Sequence, residues 1–269
     1  MKILLNGNAL PIMFVLTTVL ISSCSDNDAV PNPSRGLTRV ADGWVVGSAT
    51  RAEVWVADPL FTGYNELTIL LYDSLTDRVV TDAQITLKPL MEMMDKSHSC
   101  PVENPSLTSH NAYVGAVMFT MPSSEAGTWT LAVDVQRSNG KTGTVRWPVI
   151  VEKRSPSPLI VFKTETEEKF LLAAHFPNRP KIGVNPFEII AFRSDGHSFE
   201  PVETLHFTMH TEMPSMDHGS PNNVDPAHDR DGHYTGQANF TMSGDWRIHL
   251  EITQSGAPLE NKYFDVVVK

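Results

Sequence analysis

The feature that most constrains this chain is an internal repeat. Residues 65–98 align without a gap onto residues 185–218, and after a loop the match resumes one residue out of register. The later part of the match reaches two Gly-x-Trp motifs, which end at Trp129 and Trp246. Similar segments about 120 residues apart predict two copies of one domain rather than a solenoid of short repeats.

Both copies have the sequence pattern of β-strands. Short runs of β-branched and apolar residues, such as 129–135 and 145–151, are bounded by Gly, Pro, Asn and Asp. In the second copy Leu205, Phe207 and Met209 alternate with polar residues and therefore share one strand face. Roughly seven short strands in about 110 residues are typical of an immunoglobulin-like β-sandwich. The predicted fold class is all-β, with two tandem immunoglobulin-like β-sandwich domains.

The N-terminus has the features of a secretory signal. Lys2 precedes an apolar stretch, residues 10–21, that is too short to span a bilayer comfortably. The following Leu20-Ile21-Ser22-Ser23-Cys24 resembles a bacterial lipobox. This resemblance implies removal of residues 1–23, lipidation of Cys24 and anchoring to the outer membrane. The acidic residues just after Cys24 also resemble the export signal of Bacteroidetes-type surface lipoproteins, so either face of that membrane is open.

The remaining chain divides by composition. Residues 24–35 contain Ser, Asp, Asn and two prolines and predict a solvated, lipidated tether. Residues 36–154 form the first predicted domain and 159–269 the second. The Ser-Pro-Ser-Pro sequence at 155–158 predicts a short, semi-rigid linker between them.

Charge and cysteine content exclude some classes of function. The 31 acidic residues outnumber the 21 basic ones, and one base, Lys2, lies before Cys24, so the mature chain carries a net charge of −11. This balance argues against nucleic-acid binding, which needs a basic face. Cys100 is the only cysteine after Cys24, so no intrachain disulfide is expected and each domain depends on its core.

A cluster of methionine and histidine in the second copy suggests a metal site. The sequence Met213-Pro-Ser-Met216-Asp-His218 follows a strand, and Pro214 predicts that pairing stops there and a loop begins. Thioether and imidazole donors together favour Cu(I) over Zn, Mg or Ca. Met213, Met216 and His218 are therefore the candidate ligands.

Two further histidines are candidates to complete this site. His233 opens the next strand that the pattern predicts, and His210 lies on the outward face near the end of the preceding strand. Met209 is expected in the core, and Met242 is expected in the core at the far end of its strand, out of reach of the ion. A covering hydrophobic loop without metal remains the alternative interpretation of Met213 and Met216.

The first copy contains a related cluster at residues 91–100. Met93, His98 and Cys100 are its candidate donors, and a thiolate is a stronger ligand for Cu(I) than a thioether. The proline of the second copy is missing here, and Lys96 places a cation within the cluster. The cluster is either a second, altered site or a degenerate one.

Together these residues resemble a known family. Met213-Pro-x-Met216-x-His218-Gly, Gly232-His-Tyr234 and Phe240-Thr-Met242-x-Gly-x-Trp246 are similar to the YtkA-like and FixH-like domain of bacterial envelope proteins. The resemblance covers most of the second copy from about Pro186 and is weaker in the first. It implies a small immunoglobulin-like sandwich with an envelope role often linked to copper handling.

No pattern for catalysis is present. The sequence lacks a Gly-x-Ser-x-Gly elbow, a His-Glu-x-x-His motif and a Gly-rich phosphate loop. The sequence thus predicts a non-enzymatic, lipid-anchored envelope protein that binds copper, as Cu(I), for sequestration or for delivery to a copper-handling partner. The alternative is a metal-free immunoglobulin-like spacer or protein-interaction module. Metal titration distinguishes the two.

The lipobox-like segment generates the first prediction. Replacing Cys24 with Ala removes the residue that carries the lipid, so the protein should leave the membrane fraction on cell fractionation. Loss of anchoring is expected because durable attachment requires two or more acyl chains. A variant that stays in the membrane with its signal uncut would contradict the lipoprotein interpretation.

Overall fold

The computed structural model describes residues 32–196 and 198–269 of the chain. The signal peptide, Cys24 and most of the tether lie outside the described residues. Asn32–Lys269 form one compact unit, and its regular structure is β-strand throughout. The described part of the chain contains no helix with the length and apolarity needed to cross a membrane.

The first β-sandwich consists of nine strands arranged in two antiparallel sheets. One sheet has the strand order β1-β2-β3-β7-β6, and the other has the order β5-β4-β8-β9. The strands are β1 Thr38–Val45, β2 Thr50–Val56, β3 Gly63–Asp73, β4 Ala83–Met93, β5 Ser97–His98, β6 Val102–Leu107, β7 Tyr113–Phe119, β8 Gly127–Arg137 and β9 Thr142–Val149.

The second β-sandwich repeats this architecture. Its sheets have the orders β10-β11-β12-β17-β16, with β13 paired to β12, and β15-β14-β18-β19. The strands are β10 Leu159–Lys163, β11 Lys169–His175, β12 Gly183–Ser194, β13 Phe199–Pro201, β14 Leu205–Met213, β15 His218–Ser220, β16 Val224–Arg230, β17 His233–Phe240, β18 Gly244–Gln254 and β19 Ala257–Val268.

Both sandwiches have the strand order of an immunoglobulin domain. With β2, β3, β4, β6, β7, β8 and β9 taken as strands A to G, the sheets are A-B-E-D and C-F-G, as in constant-type domains. The short β5 extends the second sheet at the C edge, and β1 extends the first at the A edge. The predicted all-β, tandem immunoglobulin-like fold is confirmed.

The same hydrogen bonds fix both copies. The Tyr113 hydroxyl accepts from the Ala83 N–H at 2.9 Å, and the Tyr234 hydroxyl accepts from the Leu205 N–H at 3.0 Å. Trp129 Nε1 donates to a methionine carbonyl at 2.9 Å, and its counterpart Trp246 does so at 3.0 Å. The two tyrosine bonds join the two sheets of each sandwich, and the two tryptophan bonds close the turn before strand F. The sequence repeat is therefore also a repeat of tertiary contacts.

Alternating burial along β14 builds the second core. Leu205, Phe207, Met209 and Met213 are buried on the inner face, while His206, Thr208 and His210 are exposed on the outer face. The inner residues pack against the aromatic side chains of β12, β17 and β18. The predicted alternation is therefore confirmed, but the strand continues through Met213, which the sequence interpretation placed on a loop.

One strand of the second copy gives no strand signal in the sequence. The segment after Gly219 has the composition of a polar loop, yet β16 runs along the edge of the sheet and pairs with β17. Its only buried residue is Pro226, and its other side chains are exposed. An edge strand with a proline and no apolar alternation gives no strand signal. Because β16 runs the length of the sheet, β17 begins at the opposite end of the sandwich from the end at which β14 finishes.

The tyrosine contact generates a stability prediction. Tyr234→Phe removes the hydroxyl that accepts from Leu205 N–H and donates to the Val202 carbonyl at 2.8 Å. Because both groups are buried, leaving them unpaired should lower the free energy of unfolding by about 1–3 kcal/mol, measured by urea denaturation. Tyr263→Phe is the matched control on the exposed face of β19, and an equal loss in both variants would contradict the assignment.

Candidate metal site

The candidate site lies at the end of β14 where the chain turns back as β15. Met213 is the last residue of β14 and pairs with His218, the first residue of β15. Directly opposed residues of an antiparallel pair point to the same face, so the two side chains lie together on the inner face. Met213 is 3% exposed, and His218 is partly buried.

Trp246 completes the inner side of this end. Arg247 pairs with Glu212, which brings the preceding residue of β18, Trp246, beside Met213. The rings of His218 and Trp246 meet edge to face, with centroids 5.6 Å apart and planes at 80°. An imidazole, a thioether and an indole therefore converge on one corner of the sandwich.

Met242 lies at the same end, contrary to the sequence prediction. Its carbonyl accepts the hydrogen bond from Trp246 Nε1, and its side chain is partly buried against the core. Gly244, two residues on, has φ +133°, and a Cβ there would lie 3.0 Å from Met213 Cε. The Met242–Gly244 turn thus packs directly over Met213. The core placement of Met242 is confirmed, but its predicted distance from the site is wrong.

Met216 is the exposed member of the group. It lies in the four-residue turn between β14 and β15, where its N–H donates to the Met213 carbonyl at 3.1 Å. Its side chain is 58% exposed, so it is free to change rotamer at little cost. We refer to Met213, Met216, His218, Met242 and Trp246 as the Met–His–Trp end.

His233 is not part of this end, which corrects the sequence prediction. Thr211 Oγ1 donates to the Asn239 carbonyl at 3.1 Å, so the last residues of β17 lie beside the end of β14. His233 is the first residue of β17, six residues earlier, or about 20 Å along the strand. The error follows from the unrecognised β16, which carries the chain to the opposite end before β17 begins.

His210 is also separated from the thioethers. It lies on the outer face of β14 and pairs with His249, with the two rings stacked at 4.5 Å and 5°. His249 Nε2 lies 2.6 Å from a carboxylate oxygen of Glu212 on the same face. Because strand residues alternate between faces, His210 cannot join Met213 on the inner side without breaking the strand.

The first domain has a corresponding corner, built from different residues than predicted. Met91 pairs with both His98 and Trp129, and Trp129 Nε1 donates to the Met121 carbonyl at 2.9 Å. Met91, rather than Met93, is therefore the counterpart of Met213. The turn from β4 to β5 is longer here, and Met93, the last residue of β4, is 37% exposed.

Cys100 does not belong to the corner of the first domain. It is buried in the apolar core, and burial raises the pKa of its thiol well above the ordinary value. Metal binding requires the thiolate, which this environment disfavours. Cys100 is a core residue, and its prediction as a ligand is wrong.

The donors at these corners suit a soft metal. Among the described residues no group of three or more His, Cys, Asp or Glu is arranged to hold a metal ion. The Met–His–Trp end instead offers neutral thioethers and one imidazole. These donors fit Cu(I), whereas Zn, Ca and Mg prefer charged or oxygen ligands.

The chain is similar to several solved structures, all at TM-scores below 0.3. The chain is similar to the Escherichia coli adhesin FdeC (11% identity, 84% of this chain, 66% of that chain, TM-score 0.28). It is also similar to the Yersinia pseudotuberculosis adhesin InvE (13%, 88% and 62%, TM-score 0.27) and to domains 5–6 of the S-layer protein SbsC (10%, 87% and 98%, TM-score 0.29). The chain spans slightly less than two thirds of the two adhesin chains. These scores carry no argument about function.

Comparisons of sequence identify one domain. No curated protein matches the chain. A family model described as YtkA-like matches residues 172–251, from β11 into β18, and this segment includes all five residues of the Met–His–Trp end. The match does not extend to the first domain. The similarity of the first domain to the second rests on the sequence repeat and on the equivalent tyrosine and tryptophan hydrogen bonds. The second domain therefore contains a YtkA-like segment, residues 172–251.

Proposed function

We propose that the second domain binds Cu(I) at the Met–His–Trp end. The chain would act as a non-catalytic, lipid-anchored protein of the cell envelope that sequesters copper or delivers it to a copper-handling partner. The observation that carries the proposal is the register of β14 and β15, which sets Met213 and His218 opposite each other on one face. A thioether and an imidazole are thereby held in place by backbone pairing before any ion arrives.

Met216 and Met242 would supply further thioether donors, and Trp246 would help to shield a bound ion from solvent. Met216 is exposed in the turn, so it can meet an incoming ion and fold over it. The Met242 side chain lies partly buried against the same core. The Trp246 ring adds an aromatic surface beside His218, and such surfaces attract cations. A Cu(I) ion in this corner would be screened from water and oxygen by apolar groups.

The acidic outer surface is compatible with this role. The chain carries a formal net charge of −10, which raises the local concentration of cations. Asp217 and Asp245, the acidic residues beside these donors in the chain, are exposed, and thioether and imidazole donors favour a soft ion over hard cations. Collection of copper and selection of Cu(I) would then depend on different parts of the surface.

The first prediction for this site concerns the two thioethers of the second domain. Met213→Leu/Met216→Leu removes both sulfurs while nearly conserving volume, which usually costs less than about 1.5 kcal/mol in a core. Met213→Ala would instead cost about 2–5 kcal/mol and confuse binding with unfolding. The double variant should lose at least about 10-fold in Cu(I) affinity, the lower bound for losing even an outer partner of a ligand.

Competition against a Cu(I) chelator measures this loss, with Met94→Leu as the control. Met94 is 98% exposed on the other domain, so its replacement should not change the second-domain site. Binding should persist at mildly acidic pH because thioethers need no deprotonation. Equal Cu(I) affinity in wild type and double variant, or tighter binding of Zn than of Cu(I), would favour the metal-free interaction module.

A further prediction concerns the first domain. Because Met91, His98 and Trp129 meet in the same registers as their counterparts, the chain should bind two equivalents of Cu(I). Met91→Leu should remove one equivalent and leave the second-domain site intact, measured by titration with Trp fluorescence. A stoichiometry of one in the wild type would show that the first-domain corner is degenerate.

A further inference from the structure

The two domains meet across an interface that copper binding does not explain. Outward-facing residues of β3 and β7 in the first domain pack on β11 and β12 of the second. Their apolar members form a small buried cluster separate from both sandwich cores: Tyr64, Ala116, Met118, Leu171, Ala173, Ile190 and Phe192. This cluster lies next to a group of ionisable side chains.

His233 is the centre of that ionisable group. Its side chain is 1% exposed, and its two ring nitrogens each lie 2.7 Å from a carboxylate oxygen. Nδ1 faces Glu188 of its own domain, whereas Nε2 faces Glu103 of the first domain. An ionised carboxylate only accepts hydrogen bonds, so both nitrogens must donate, which requires the imidazolium form. One charged histidine therefore joins the two domains.

Neighbouring groups support the charged form of His233. Burial alone would lower the pKa of His233, but the hydrogen bonds and charges of Glu103 and Glu188 outweigh it and raise the pKa to about 9. Burial likewise would raise the pKa of Glu188, but the hydrogen bond and charge of His233 lower it. The Tyr64 hydroxyl donates to the second oxygen of Glu103 at 2.9 Å, which fixes that carboxylate.

Three other ionisable groups surround the bridge. Glu66 on β3 adds a third carboxylate, and its pKa is raised by burial and by the charges of Glu103 and Glu188. His175 on β11 is kept neutral, because burial lowers its pKa. Arg230 at the end of β16 lowers the pKa of both Glu66 and Glu188 by its charge. The carboxylates of Glu66, Glu103 and Glu188 lie close together and would repel one another without a cation at His233.

We infer that the charged His233 bridge to Glu103 and Glu188 locks the two domains in one orientation, and that loss of its proton releases them. Neutral imidazole has one donor and one acceptor, so one of the two carboxylates would face a lone pair. Besides the bridge, the interface includes the small apolar cluster, an edge-to-face contact between Tyr64 and His175, and an exposed ion pair between Arg179 and Asp58. The linker at 155–158 joins the domains covalently. A cavity of about 520 Å³ reaches His233 from the side of Glu66 and Arg230, which lets protons exchange.

The pH window follows from the direction of each shift. His233 has a folded pKa above its ordinary value of 6.5, so its contribution is complete below pH 6.5 and is lost as pH rises through about 9. Glu188 has a lowered pKa, so its contribution is complete above its ordinary value of 4.5 and is lost at more acidic pH. The lock should hold from mildly acidic to neutral pH and open in alkali. It is independent of the copper proposal.

The test uses the full chain made soluble by Cys24→Ala. NMR of the histidine side chains should show His233 titrating near pH 9, with small-angle X-ray scattering reporting a more extended molecule over the same pH range. His233→Gln should be extended already at pH 7, because the amide is uncharged and its carbonyl oxygen cannot donate to a carboxylate. His206→Gln, on the exposed outer face of β14, is the matched control and should remain compact at pH 7.

Glu103→Gln keeps the proposal testable if His233→Gln fails to fold. Glu103 lies at the rim of the first domain, and its amide should remove the cross-domain charge, lower the His233 titration point and extend the molecule at pH 7. A His233 titration point at or below 6.5 in the wild type would overturn the proposal. So would scattering at pH 7 that is unchanged in both His233→Gln and Glu103→Gln.

Discussion

The alternation of side chains along β14 is the constraint on which both the core and the candidate site depend. Every second residue from Leu205 to Met213 enters the core, and the histidines between them face outward. A shift of one residue would exchange these faces completely. The same alternation that gives the second sandwich its apolar interior therefore delivers Met213 to His218 and Trp246, and it keeps His210 away from them.

Much of the fold could be predicted from the sequence because its signals are local or repeated. Strand composition, the alternation around Phe207 and the two Gly-x-Trp motifs all depend on neighbouring residues. They correctly indicate two immunoglobulin-like sandwiches. The gapless alignment of the copies failed along β4, which is displaced by two residues relative to β14. Ala83 and Met91, rather than Ile85 and Met93, are the counterparts of Leu205 and Met213.

The errors at the site have one main physical origin. Edge strand β16 is polar and exposed, so nothing in its sequence distinguishes it from a loop, yet it decides at which end of the sandwich β17 begins. Without β16, the sequence prediction placed His233 at the metal site and Met242 at the opposite end of the sandwich, which is the reverse of their positions in the structure. The partners of His233 were equally hidden, because Glu103 belongs to the other domain and lies 130 residues away in the chain. Cys100 was misjudged because the short pattern around it does not reveal burial.

The second domain thus has two chemically different ends. The Met–His–Trp end is neutral, soft and partly open through Met216, whereas the end around His233 is charged and faces the first domain. Since the two ends lie at opposite ends of β17, a change in domain orientation need not disturb the metal donors. This separation allows binding and orientation to be measured independently.

Methionine-methyl NMR during titration with Cu(I) tests the central claim most directly. With one equivalent of Cu(I) per second-domain site, the methyl signals of Met213 and Met216 should shift, while Met209, two inward-facing positions earlier on β14, should stay in place. Met209 is the internal control because it shares the same core without reaching the corner. Unchanged Met213 and Met216 signals, or equal shifts of Met209, would contradict copper binding at the Met–His–Trp end.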